Sequence, residues 1–211
     1  MAIPDYIQEI SDFRSPNGHP NQADLVAEGL TTSDSASGDL IWNAAGERLI
    51  NDLISSRFSR ALELYDFIRD LEPKLPNPEI ARQLVARGYY AMFWAGRAVS
   101  LTLCRRDWGM GSGNHGNLPT HLRIHTHTDS WSPNFHKYLS DWRALRNCAD
   151  YNMFMVLLYS GAHAGRRPPR VPVDYDHIHE AAKEVGNMVE AYLQQSQRLI
   201  ISKGVHLVRS L

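Results

Sequence analysis

The sequence predicts an all-α protein, an antiparallel four-helix up-and-down bundle, on three observations. Apolar side chains recur at the three- and four-residue spacing of an amphipathic helix over most of the chain after residue 42. No segment shows the regular alternation of strands and helices that is typical of an α/β protein. Segments rich in proline and glycine separate the periodic stretches, and long helices joined in this way pack as antiparallel neighbours.

The first two helices are separated by prolines. Apolar residues at helical spacing run through residues 43–72, and Pro73, Pro76 and Pro78 then end the helix because proline cannot donate a hydrogen bond within it. A second apolar stripe predicts a helix over residues 79–104. Its middle is rich in small residues, which permits a close approach by a neighbouring backbone.

Two further helices complete the predicted bundle. The third is expected over residues 135–159, and the fourth from a cap at Asp174 or Asp176 to about residue 202. We expect four apolar side chains of helices 2 and 3 to be more than half buried, namely Tyr89, Phe93, Leu145 and Met153.

A leader, a long loop and a tail accompany the predicted helices. Residues 1–42 are predicted as an acidic, partly disordered leader, since residues 1–47 hold eight acids and one base and the remainder of the chain carries a net charge of +6. Residues 107–134 contain four glycines and two prolines and predict a long loop between helices 2 and 3. The bundle then occupies residues 43–203, with residues 204–211 as a C-terminal tail.

Composition restricts the class of protein and its location. No apolar run approaches the ~18 residues of a membrane span. The chain begins with acidic residues instead of a basic segment and an apolar stretch, so we expect a cytoplasmic protein without membrane contact. Of 22 basic residues 18 are arginine, which binds phosphate and stacks on bases, although genomic base composition also produces this preference.

A histidine-rich stretch suggests a metal site. His125, His127 and Asp129 have a spacing that could ligate zinc or manganese, which gives one hypothesis of a metal-dependent hydrolase. Metal hydrolases with such motifs place them between strands, whereas here the motif lies between predicted helices. The competing interpretation is a polar loop with solvated histidines, and we expect no cofactor.

A second polar group lies on predicted helix 3. Arg146 and Asp150 share one helix face, while Asn147 and Tyr151 form the neighbouring row. The simplest interpretation is an ion pair within the helix, worth only ~0.3–0.5 kcal/mol.

Two segments together resemble the HEPN superfamily (higher eukaryotes and prokaryotes nucleotide-binding domain). They are YYAMFWAGRAV at residues 89–99 and RNCADYN at residues 146–152, and the resemblance covers about residues 48–203. It implies a four-helix bundle that forms a homodimer with a polar motif at the dimer cleft. Active members are metal-independent endoribonucleases, many of them toxins paired with a nucleotidyltransferase antitoxin or parts of antiviral defence complexes.

The resemblance also implies roles for individual residues. Arg146 takes the position of the motif arginine, and Asn147 that of the polar residue that follows it. The histidine position is occupied by Asn152. Since asparagine cannot act as an acid or base near neutral pH, the resemblance supports fold and context more than catalysis.

The resemblance therefore implies a protein that cleaves or binds RNA at a dimer cleft in a toxin–antitoxin or defence setting. Its catalytic candidates are Arg146, Asn147, Asp150 and Asn152. The candidates for RNA or nucleotide contact are basic and aromatic side chains on the second helix, on the third helix and after it: Arg87, Arg97, Tyr151, Arg166, Arg167 and Arg170. The alternative is a non-catalytic scaffold that binds a nucleotide or a partner protein.

Overall fold

A computed structural model describes residues 31–33, 40–75, 77–104, 114–126, 135–151, 155–157, 170–172 and 175–211. Within these ranges lie the helices α1 (Ala44–Leu71), α2 (Pro78–Cys104), α3 (Asn114–Thr126), α4 (Phe135–Tyr151) and α5 (Tyr175–Ser202). Three-residue strands form two antiparallel pairs, β1 (Thr31–Ser33) with β2 (Leu40–Trp42) and β3 (Met155–Leu157) with β4 (Arg170–Pro172). The predicted all-α class is confirmed.

The structure differs from the sequence prediction in one additional helix and in the end of another helix. The segment 107–134, predicted as a loop, contains α3, in which the buried leucines among the described side chains are Leu118 and Leu122, one turn apart. A single pair of this kind, interrupted by Pro119, is too short to show a helical period. The predicted third helix ends at Tyr151 instead of Tyr159, and Met155–Leu157 is a strand. Periodicity cannot distinguish a short apolar strand from the end of a buried helix.

Several predicted features lie outside the described residues. They include most of the acidic leader (1–30 and 34–39) and Met153. Tyr89 and Phe93 are buried as predicted, with 0% and 4% of their surface exposed, and Leu145 is also more than half buried.

The second helix, α2, is the centre of the core. It packs against α1, α3, α4 and α5, so side chains on nearly all of its faces are removed from water. Its fully buried apolar residues are Ala81, Leu84, Val85, Tyr89, Ala91, Met92, Ala95, Ala98 and Val99. This arrangement places α2 beside every helix that contributes to the site described below.

A glycine permits the close approach of α2 and α5. A Cβ atom at Gly88 would overlap Cγ2 of Val185 and would contact the ring of Trp142 at 3.6 Å. Val185 is fully buried and branched at Cβ, so it has little freedom to move away. The spacing of the two helices therefore depends on the absence of a side chain at residue 88.

The end of α5 directs the last residues back onto the core. Gly204 has a left-handed φ of 81°, and the amides of Gly204 and Val205 donate to the carbonyls of Ile201 and Ile200, the pattern of a Schellman cap. Val205 and Leu207 are buried, and the amide of Val208 donates to Oγ of Ser55 in α1 at 2.9 Å. The tail 204–211 is thus part of the packed structure.

Among the described residues, no helix has both the length and the apolar character that crossing a membrane requires.

We expect Gly88→Ala to destabilise the protein by about 1–3 kcal/mol, because the added methyl group overpacks the contact with Val185. Gly186→Ala is the matched control on α5. There the added Cβ would meet the end of the flexible Glu72 side chain, which can rotate away at the cost of its partly exposed ion pair with Arg69. The control should be neutral or gain up to about 1 kcal/mol in helix propensity.

Urea unfolding monitored by circular dichroism measures both changes. A double-mutant cycle with Val185→Ala should recover part of the cost of Gly88→Ala, by at least ~0.5 kcal/mol. Equal stability of Gly88→Ala and the wild type would contradict the proposed contact.

Candidate functional site

The site is centred on Arg146 in α4. Its Nε lies 2.7 Å from Oδ2 of Asp150, one turn further along the helix, and the two side chains are 14% and 31% exposed. The intrahelical ion pair that the sequence suggested is therefore present. The Arg146–Asp150 pair is less exposed than the ion pairs on the surface of α1 and α5, so water screens the attraction between its charges less.

Arg146 is also held by a second helix. One Nη donates to Oδ1 of the adjacent Asn147 at 2.9 Å, and the other donates to the hydroxyl of Tyr90 in α2. The guanidinium carbon lies 5.0 Å from the ring centre of Tyr90 and 5.9 Å from that of Tyr89, within the range of cation–π attraction. These contacts fix the orientation of the guanidinium plane relative to both helices.

The third helix, α3, places His115 beside the same aromatic side chains of α2. Nδ1 of His115 lies 2.7 Å from the hydroxyl oxygen of Tyr89. Its ring stacks on Phe93 with centroids 4.4 Å apart and meets the edge of Tyr90 at 6.4 Å. We call the set Tyr89, Tyr90, His115, Arg146, Asn147 and Asp150 the α2–α3–α4 cluster.

The surroundings keep the imidazole and the phenol of this cluster neutral. Burial lowers the pKa of His115, and the positive charges of Arg146, Arg143 and Arg97 lower it further. Burial raises the pKa of Tyr89 above its ordinary value, although Arg143 and Arg146 oppose this. Near pH 7 the positive charge at the cluster is therefore carried by guanidinium groups.

Two further buried arginines lie close to the indole ring of Trp94. Arg97 is 2% exposed, with its guanidinium carbon 4.4 Å from the ring centre of Trp94. Arg57 of α1 is 9% exposed and lies 5.2 Å from the same ring. The structure thus places Arg97, a predicted RNA contact, inside the protein, where it adds to the positive potential near His115 instead of meeting a ligand directly.

The other predicted site residues are not brought to the cluster. Arg87 is exposed and lies 5.9 Å from the ring centre of Phe67 on the outer surface of α1 and α2. Some candidates lie outside the described residues, or have side chains that are not described: Tyr151, Asn152, Arg166, Arg167, Arg170, His125, His127 and Asp129. Within the described part of the chain, no group of three histidine, cysteine or acidic side chains could hold a metal ion.

Sequence reasoning identified Arg146, Asn147 and Asp150 but missed the aromatic and imidazole partners of Arg146. Tyr89 and Tyr90 belong to the YYAMFWAGRAV segment of α2, but nothing in the sequence indicates which of the two contacts α4. His115 lies in a segment predicted as a loop, so the only available signal was its presence in a histidine-rich stretch.

We expect His115 to make stability depend on pH. Because its pKa is lower in the folded state, the unfolded chain binds more protons below the ordinary histidine pKa of about 6.5. The stabilisation is complete above that pH and is lost as the pH falls. His115→Gln should therefore lose less stability than the wild type when the pH is lowered from about 7.5 to about 5.

Urea unfolding across this pH range provides the measurement. His136→Gln, in the first turn of α4, is a comparison variant with an expected effect of the same sign, because burial and Arg123 also lower the pKa of His136. The two variants should flatten the pH dependence independently. An unchanged slope in His115→Gln would show that His115 titrates normally.

The chain matches no protein-family model, and neither curated proteins nor solved structures show a significant similarity to it.

Proposed function

We propose that this chain is a HEPN-like protein of a toxin–antitoxin or antiviral defence system that binds RNA at the α2–α3–α4 cluster. The observation that carries the proposal is the fixed guanidinium of Arg146, held by Asp150, Asn147 and Tyr90 at a partly exposed position. A planar guanidinium donates in parallel to two phosphate oxygens, and the cost of orienting it is reduced when the protein already holds it.

The aromatic residues support RNA over a simple anion. Tyr90 is partly exposed and lies beside Arg146, so its ring is available to stack on a base while the guanidinium contacts the adjoining phosphate. Arg143, on the same helix as Arg146, is partly exposed and adds positive charge near the cluster. This combination of aromatic faces and arginine is typical of proteins that bind single-stranded RNA.

A homodimer is part of the proposal. The resemblance to the HEPN superfamily implies that the two copies of Arg146 face a shared cleft, and a partly exposed Tyr90 and Trp94 on α2 suit such an interface. A nucleotidyltransferase antitoxin or another defence-complex subunit would be the further protein partner.

A second candidate is a non-catalytic module that binds a nucleotide or a partner protein. The Arg146–Asp150 ion pair favours it, because the carboxylate offsets part of the positive charge that would stabilise the negative charge developing on a phosphate during cleavage. Asn152 at the expected histidine position agrees with this alternative. Both candidates use the same cluster, and they differ in whether its ligand is RNA or a nucleotide or partner protein.

We expect Arg146→Ala to weaken the affinity of the full-length protein for short single-stranded RNA by about tenfold or more, since charge-assisted hydrogen bonds contribute about 1.5–3 kcal/mol. Arg146→Lys should recover only part of the affinity, because lysine keeps the charge but lacks the planar fork. Arg60→Ala is the matched control, as Arg60 is an exposed arginine of α1 paired with Glu63 at 2.6 Å. Fluorescence anisotropy at low and high salt measures all four proteins.

Gel analysis of total RNA incubated with the same proteins in EDTA separates cleavage from binding. Cleavage by the wild type but not by Arg146→Ala would assign an endoribonuclease, and binding without cleavage would assign an RNA-binding protein that does not cut its ligand. The proposal fails if the wild type does not bind RNA, or if Arg60→Ala weakens binding as much as Arg146→Ala.

A further inference from the structure

The surroundings of Tyr89 determine which group donates in its hydrogen bond with His115. Tyr89 is fully buried, and among the described residues its hydroxyl is hydrogen-bonded to Nδ1 of His115 alone. A buried hydroxyl that does not donate loses a hydrogen bond without compensation from water. The phenol remains protonated because burial raises its pKa. Tyr89 is therefore the donor and Nδ1 the acceptor.

This direction determines where the imidazole carries its hydrogen. A neutral imidazole has one protonated nitrogen, so an accepting Nδ1 leaves the hydrogen on Nε2. Within the described part of the chain, no residue hydrogen-bonds to Nε2. His115 is itself partly exposed. The Nε2–H group is accordingly a donor on a partly exposed ring that no described residue uses.

The donor lies in a positive environment next to the guanidinium of Arg146. Both groups surround Tyr90, the guanidinium carbon at 5.0 Å and the imidazole centre at 6.4 Å from its ring centre. Arg97 and Arg143 contribute further positive charge, while Asp150 pairs with Arg146. An uncharged N–H among guanidinium groups adds a hydrogen bond for an anion without adding repulsion between like charges.

We propose that Nε2–H of His115 donates to a phosphate oxygen of the RNA that Arg146 binds, and that Tyr89 is the positioning residue that keeps the hydrogen on Nε2. This inference rests on the proposed function. It assigns His115 a role in binding: an Nε2 that carries hydrogen cannot accept the proton of a ribose hydroxyl, so His115 does not supply a general base in this form.

The first experiment tests the tautomer without RNA. Two-bond ¹H–¹⁵N correlations of the full-length protein near neutral pH should show His115 with Nδ1 unprotonated and Nε2 protonated. In Tyr89→Phe, which removes only the hydroxyl, the same ring should shift towards a mixture of both tautomers. A wild-type ring with hydrogen on Nδ1 overturns the inference.

The second experiment measures affinity for a short single-stranded RNA. His115→Phe keeps an aromatic ring against Phe93 but removes the donor, and it should weaken binding about tenfold. His115→Gln keeps a neutral N–H donor and should stay within about threefold of the wild type. Tyr89→Phe should weaken binding less than His115→Phe, and circular dichroism establishes that each variant is folded.

Different results would overturn the role of His115 and the RNA-binding function. If Arg146→Ala weakens RNA binding and His115→Phe does not, the role of His115 is wrong and the proposed function remains. If His115→Gln and His115→Phe lose equal affinity, the donor is not what matters and the inference is also wrong. If the wild type binds no RNA, the proposed function fails together with the ligand named here, whereas the tautomer is still decided by the spectra.

Discussion

The packing of α2 among four other helices is the constraint on which the rest of the structure depends. One helix must bury nearly all of its faces, and it does so with small residues where neighbours approach closely and aromatic residues where they do not. Gly88 shows the first requirement, because α5 comes near enough for Val185 to occupy the space of its missing side chain. Tyr89 and Phe93 show the second, since they fill the space between α2 and the shorter helix α3.

The polar chemistry of the site follows from this burial. A phenol that loses contact with water needs a partner, and His115 supplies an acceptor at 2.7 Å. The guanidinium of Arg146 is fixed by hydrogen bonds from two helices, so it has lost its rotational freedom before any ligand arrives. Asp150 offsets part of its charge, which suits a site that recognises a phosphate group more than one that stabilises a charged transition state.

The sequence predicted the helical class and the course of the long helices because their apolar stripes extend over many turns. It predicted the Arg146–Asp150 pair as well, since a spacing of four residues is local information. The contact of Arg146 with Tyr90 joins residues 56 positions apart and depends on how α2 and α4 are placed, which no local pattern encodes. The contact of His115 with Tyr89 was missed for a related reason: α3 is short and its two buried leucines span a single turn.

The most direct test of the account is a map of the side chains that respond when RNA is added to the full-length protein. Side-chain ¹H–¹⁵N spectra resolve arginine Nε–H and imidazole N–H groups, so Arg146 and His115 can be followed alongside Arg60 and Arg209 on the exposed surface. The account predicts that the Arg146 and His115 resonances shift in a saturable manner while those of Arg60 and Arg209 do not. Saturable shifts confined to other residues, with Arg146 and His115 unmoved, would contradict it.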